Sequence, residues 1–181
     1  MMSIGDWLFH MTELLRTTRL VEFSLGVSDW PFALWLQSHF YAIPAFQTIH
    51  IVAIAILFAS TLMLSLRVLR VNGADQSLQQ TLRRHRPWIW GALFALVASG
   101  IVLLISEPVR NMINPIFWIK MALLTVAVAA SLWFQRSVRL KSAEWEISPG
   151  GHALLRFSSV AIVILWCAVM AGGRWIAYAP V

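Results

Sequence analysis

Four apolar stretches dominate the chain, near Pro44–Leu66, Pro87–Ser106, Pro115–Gln135 and Ala153–Ile176. Each has the roughly 20 residues that a helix needs to cross about 30 Å of hydrocarbon. Three of them open on a proline, whose missing N–H is harmless in the first turn of a helix. Asn114 stands where a side-chain cap for the third would be. The pattern predicts four transmembrane helices, joined by polar connections at Ala74–Gln80 and Ser142–Gly151, the latter carrying the breaker Ser148-Pro149-Gly150-Gly151.

Residues 1–43 are patterned differently. Ile4, Trp7, Leu8, Met11, Leu14 and Leu15 recur at helical spacing, while Asp6, Glu13, Arg16 and Thr17 fall on the other side. This predicts an amphipathic helix lying in the membrane interface, with Ser3 and Asp6 at capping-box spacing. A second short apolar piece, Trp30–Tyr41, is entered through Ser28-Asp29 and Pro31. Run on into the first span, it would make a helix of about 58 Å, too long for a bilayer. A break at Pro44 is therefore expected, with Trp30–Tyr41 a surface or re-entrant helix. The chain divides into this interfacial segment, 1–43, and a four-helix transmembrane bundle, 44–181.

Composition agrees with the pattern. Of the 181 residues, 59% are hydrophobic and only 12% charged, where soluble domains carry about 25% charged residues. That excludes a soluble enzyme and a disordered tail. The single cysteine, Cys167, excludes an intrachain disulfide and a cysteine-based metal cluster. The net charge of +6 could suggest nucleic acid, but the fourteen basic residues are dispersed among short loops and read as topology signals. Nine of them (Arg67, Arg70, Arg83, Arg84, Arg86, Arg136, Arg139, Lys141 and Arg156) fall at one end of the spans and five at the other. The arginine-rich end is expected in the cytoplasm, with both termini in the periplasm of a bacterial inner membrane. No cleavable leader is expected, because Asp6 and Glu13 interrupt the first apolar stretch. Nine of the ten tryptophans, all but Trp166, fall near the two proposed interfaces, where aromatic belts form.

Polar groups at membrane depth carry the candidate chemistry. Gln47 and His50 are neighbours on one helical face, and Thr61 and Ser65 continue the stripe, which should face the bundle. The His50 imidazole either makes an interhelical hydrogen bond or ligates a metal, haem iron being the commonest partner of such a nitrogen in a bundle core. His39 is a candidate second ligand, but on an unbroken helix it would lie about 16 Å away. The outer half also collects Glu107, Arg110, Asn114, Lys120, Arg174 and Tyr178. Lys120 and Glu107 are expected to pair, and Lys120, Arg110, Arg174 and Tyr178 could hold haem propionates or a quinone head group. His10 belongs among lipid head groups, and His85 and His152 in a solvated basic loop. Small residues on the second and fourth spans, among them Gly91, Gly100, Gly172 and Gly173, would let backbones approach, and Cys167 is expected to be buried.

The run Pro44-x-x-Gln47-x-x-His50 resembles an uncharacterised bacterial family of small four-helix inner-membrane proteins. Further matching pieces are Pro87-x-x-x-Gly91, Gly100, Glu107-Pro108, Asn114-x-x-Phe117-x-x-Lys120 and Gly173-Arg174-x-x-Ala177-Tyr178. In outline the chain is similar to b561-type cytochromes and copper-resistance D proteins, although it lacks their full set of paired histidines. Residues and resemblance together lead to the expectation of a membrane redox protein holding haem b at His50, and exchanging electrons between the quinone pool and a periplasmic or membrane partner. The alternatives are a non-catalytic anchor or accessory subunit, and a transporter of copper or a small solute.

Overall fold

The computed structural model describes residues 4–71, 77–147 and 149–178, and among them it contains helices and no strand. Helix α1 spans Ile4–Arg16, α2 Leu20–Ser28, α3 Pro31–Ser38, α4 Ala42–Val68, α5 Leu78–Ser106, α6 Pro108–Met112, α7 Pro115–Ile147 and α8 Pro149–Trp175, and a 3₁₀ turn follows at Ile176–Tyr178. Four of these helices are long and apolar enough to cross a bilayer: α4, α5, Pro115–Leu140 of α7 and Gly151–Trp175 of α8. The protein is an all-α, multi-pass membrane bundle.

Helix boundaries follow local chemistry, not always where the apolar run starts. Ser77 caps α5 by accepting from the Gln80 N–H at 3.2 Å. That start lies nine residues before Pro87, which therefore sits inside the helix and does not open it. Here Leu78, Thr81 and Leu82 are buried, so packing extends the helix through the polar stretch. Pro44 likewise lies in the first turn of α4, and the break falls earlier, at the extended residue His39 (φ −106°, ψ 101°). Asn114 caps α7 as its position suggested: Oδ1 accepts from the Ile116 N–H at 2.9 Å, and Pro115 is the first helical residue. Helices α7 and α8 run through most of the polar connection predicted between them, with only residue 148 and the side chains of 141–150 outside the description. Ser3 and residues 72–76, which include the first part of the connection predicted at Ala74–Gln80, also lie outside the described residues.

The spans pack as two antiparallel hairpins, α4 with α5 and α7 with α8. The hairpins join mainly through α4 and α8, while α5 and α7 form the slimmest side of the bundle. Leu57, Leu82, Ala127, Val138, Leu155 and Trp166 are core members, each below 5% exposed. Conversely, Phe94, Phe157 and Ile164 are more than 60% exposed at span positions, the inside-out distribution that lipid permits. Cys167 is exposed rather than buried. Its neighbour Trp166 takes the inward position one residue earlier on the helix.

Helices α1 to α3 gather at the end of the bundle that carries α6, the α6 end, against α5, α6 and α7. The sequence pattern missed α2, because its apolar residues lack a one-sided stripe. On α1, Thr12 is 2% exposed and Leu8 and Leu15 half-buried, whereas Trp7, Phe9 and Leu14 are exposed. The hydroxyls of Thr12, Thr17 and Thr18 bond back to carbonyls of their own turn, so the segment needs no outside partner for them. Both apolar sides of this module therefore have work: one covers the bundle and the other meets the interface.

Candidate functional site

His50 projects from the third turn of α4 onto α5. Its Nδ1 lies 2.8 Å from the Ser99 hydroxyl oxygen. That hydroxyl lies 2.6 Å from the Ala95 carbonyl oxygen, so its one proton is already donated within α5. With the hydroxyl proton assigned to that carbonyl, the imidazole supplies the proton of the Nδ1···Oγ bond, the Nδ1–H tautomer, which leaves a lone pair on Nε2. The Leu96 carbonyl is a further acceptor beside the ring. Among the described residues Nε2 has no side-chain hydrogen-bond partner. Gly100 makes room for the ring: a Cβ there would stand 3.4 Å from the imidazole Cε1.

Lys120 projects from α7 onto α8, and its stem lies along Gly172 and Gly173, where added Cβ atoms would stand 3.5 and 3.8 Å away. Gly100, Gly172 and Gly173 thus accommodate two polar side chains, those of His50 and Lys120. Gly91 has nothing within 4 Å and packs against no one. The expected Glu107–Lys120 pair is not formed. Glu107 sits at the start of α6, and its Oε2 pairs with Arg110 at 3.0 Å, one turn along the same short helix. Lys120 makes no ion pair or side-chain hydrogen bond among the described residues. The imidazole of His50 and the Lys120 amino group, which has no acidic partner among the described residues, therefore share the α6-end half of the bundle.

The other candidates are not brought to this pair. Gln47 is exposed, so the inward stripe runs from His50 through half-buried Thr61 to Ser65, which is 4% exposed, and omits the first member. The first turns of α4 are covered on one side, where Ala42 is 3% exposed, and Gln47 escapes burial because it lies on the other with Thr48. His39 is held elsewhere: Nδ1 contacts the Trp35 carbonyl at 2.8 Å and the Ser38 hydroxyl at 3.0 Å, and the ring packs on Trp35 at 4.7 Å. Arg174 is spent on Tyr178, with 2.9 Å to its hydroxyl and 5.2 Å to its ring centre. Arg110 is spent on Glu107, and His10 is exposed. His85 and His152 also stay apart, the former on the Thr81 carbonyl and the latter 3.4 Å from Arg70. Sequence spacing pointed to His50 and Lys120 but gave no sign of Ser99, whose role depends on the register of α4 against α5.

Among the described residues no three His, Cys, Asp or Glu side chains gather around a common point. A metal at His50 would thus need most of its ligands from a cofactor, which a porphyrin provides and a bare copper ion does not.

The fold and its polar pair define a small four-helix membrane protein with one histidine and one lysine facing into its α6-end half. Residues 37–179 match the model of a family of unknown function, DUF6644, and the chain belongs to that family. The match leaves most of the N-terminal helices outside the family's extent. No curated protein and no solved structure matches the chain, and nothing in these comparisons ties it to b561-type cytochromes or copper-resistance D proteins.

Proposed function

We propose that the protein is a redox protein of the bacterial inner membrane that holds a b-type haem through His50, and exchanges electrons between the quinone pool and a partner at the α6 end. One observation carries this reading: an imidazole on a membrane-spanning helix whose Nδ1 is anchored by Ser99 and whose Nε2 has no side-chain partner. An anchored N–H on the far ring nitrogen is the arrangement that orients a histidine ligand and raises its basicity. Lys120 supports it as the cation for a propionate, since no acid of the described chain neutralises it. His39 lies before α4, packed on Trp35 and Ser38 and not among the spans, so the spans' own donors fit a haem ligated by one histidine. Such a haem would supply one-electron chemistry. The α6 end faces the periplasm in this reading, because the arginine-rich loops mark the cytoplasmic side.

The test is the visible spectrum of protein purified from cells supplied with iron and haem precursor. A Soret band that shifts on dithionite and is lost in His50→Ala, but not in His10→Ala, is the expected result. A colourless protein would overturn it. The same Ser99 bond favours a second reading, in which His50 is interhelical glue in an accessory subunit; a colourless wild type that His50→Ala destabilises is its signature.

A further inference from the structure

A second polar site lies about 16 Å further along α4 by helix rise, in the arginine-rich half. Here the slim side between α5 and α7 opens as a slot whose enclosed part measures about 30 Å³. Trp90 and Leu132, 44% and 40% exposed at lipid-facing positions, flank it, and Trp166 and Phe134 form aromatic walls. Its lining is mostly apolar, with polar groups from Thr61, Ser65, Ser131, Gln135 and Ser159 and no charged side chain. The hydroxyls of Thr61, Ser131 and Ser159 donate to carbonyls of their own helices at 2.7 to 2.9 Å, which turns their lone pairs to the slot. One of these, on Ser131, accepts from the Trp166 indole N–H at 3.3 Å.

Two groups remain uncommitted. Gln135 and Ser65 are 8% and 4% exposed, and neither side chain has a hydrogen-bond partner among the described residues. Neither is a sealed orphan, so their polar atoms face the slot. A buried amide and hydroxyl left open in this way are costly in an apolar surrounding unless a guest satisfies them. They offer donors to a carbonyl oxygen, and the neighbouring lone pairs offer acceptors to a hydroxyl.

We infer that this slot seats the head group of an uncharged, lipid-soluble carbonyl compound of the quinone class. At about 30 Å³ the slot as it stands has room for little more than water, so the ring would both enter from the bilayer and be seated by parting α5 from α7, and be held by Gln135 and Ser65 between aromatic walls. The absence of charge in the lining disfavours an ion, and the lipid-facing mouth suits a ligand delivered by the membrane. This deepens the redox reading by giving the quinone a place distinct from Lys120 and Arg174, and it stands separately from haem at His50.

The test is photolabelling of the full-length protein in nanodiscs with an azido-benzoquinone bearing a decyl tail, mapped by peptide mass spectrometry. Label should concentrate in segments 89–93 and 128–135 and be displaced by excess decylubiquinone. Gln135→Leu should weaken that competition about tenfold, the effect of losing the hydrogen bonds to one carbonyl. Ser65→Ala, which keeps the volume nearly unchanged, should weaken it in the same direction, and His50→Ala should leave it as in the wild type. Label spread evenly over lipid-facing positions such as Phe94 and Phe157, or competition unmoved by both slot variants, would overturn the assignment. So would a slot that holds water alone, seen as labelling that decylubiquinone does not displace. Loss of the Soret band in His50→Ala with labelling intact would separate the two sites.

Discussion

The His50–Ser99 bond makes a quantitative prediction that does not depend on any ligand. Ser99 is 2% exposed, and its proton is committed to Ala95, so His50→Ala removes the interhelical bond without orphaning the hydroxyl. The cost should be the bond itself, about 0.6 to 1.7 kcal/mol in a membrane interior, plus about 1 kcal/mol for the space left beside Gly100. Ser99→Ala leaves the Nδ1–H with only the Leu96 carbonyl beside it, and should cost about 0.5 to 1.5 kcal/mol. Because both variants delete one shared interaction, the double variant should cost less than the sum, with a coupling of about 0.6 to 1.7 kcal/mol. Reversible unfolding in mixed micelles titrated with sodium dodecyl sulfate, followed by helicity, measures all four species. Additive losses within about 0.3 kcal/mol would show that the two side chains do not act as a pair, and the tautomer argument for Nε2 would fall with them.

Three further outcomes follow from the same geometry. Asn114→Ala removes the cap on the Ile116 N–H and the 3.3 Å bond to the Ile176 carbonyl, so it should destabilise by about 1 to 3 kcal/mol in the same titration, with Asn114→Asp retaining part of the loss. Lys120→Met should leave stability unchanged or raise it by up to about 2 kcal/mol, since an unpaired ammonium at depth is costly, and a Lys120/Glu107 double-variant cycle should show no coupling. In a Cys167→Ser background, Ser77→Cys should react with impermeant maleimide only from the cytoplasmic side and Ser38→Cys only from the periplasmic side; the opposite pattern would invert the proposed orientation.

The number of spans and their approximate positions are properties of the sequence itself. In lipid each span must satisfy its own backbone hydrogen bonds, so about 20 apolar residues suffice to define one whatever surrounds it. For the same reason local signals such as the Asn114-Pro115 start of α7 were legible, since cap and helix lie within three residues. His50 and Lys120 were legible as well, because a polar side chain among apolar neighbours is conspicuous in one dimension. What those side chains touch was decided only in three dimensions. The Glu107–Lys120 pair seemed natural from opposite charges near in sequence, but Glu107 finds Arg110 on its own turn, and Lys120 lies along Gly172 and Gly173 more than fifty residues away. Ser99 and Gln135 read as ordinary span residues until the register of α4 on α5 and the thin side between α5 and α7 gave each its setting. Registers and gaps of this kind come from side-chain packing between helices distant in sequence, and hydropathy, which scores each segment alone, contains no term for them.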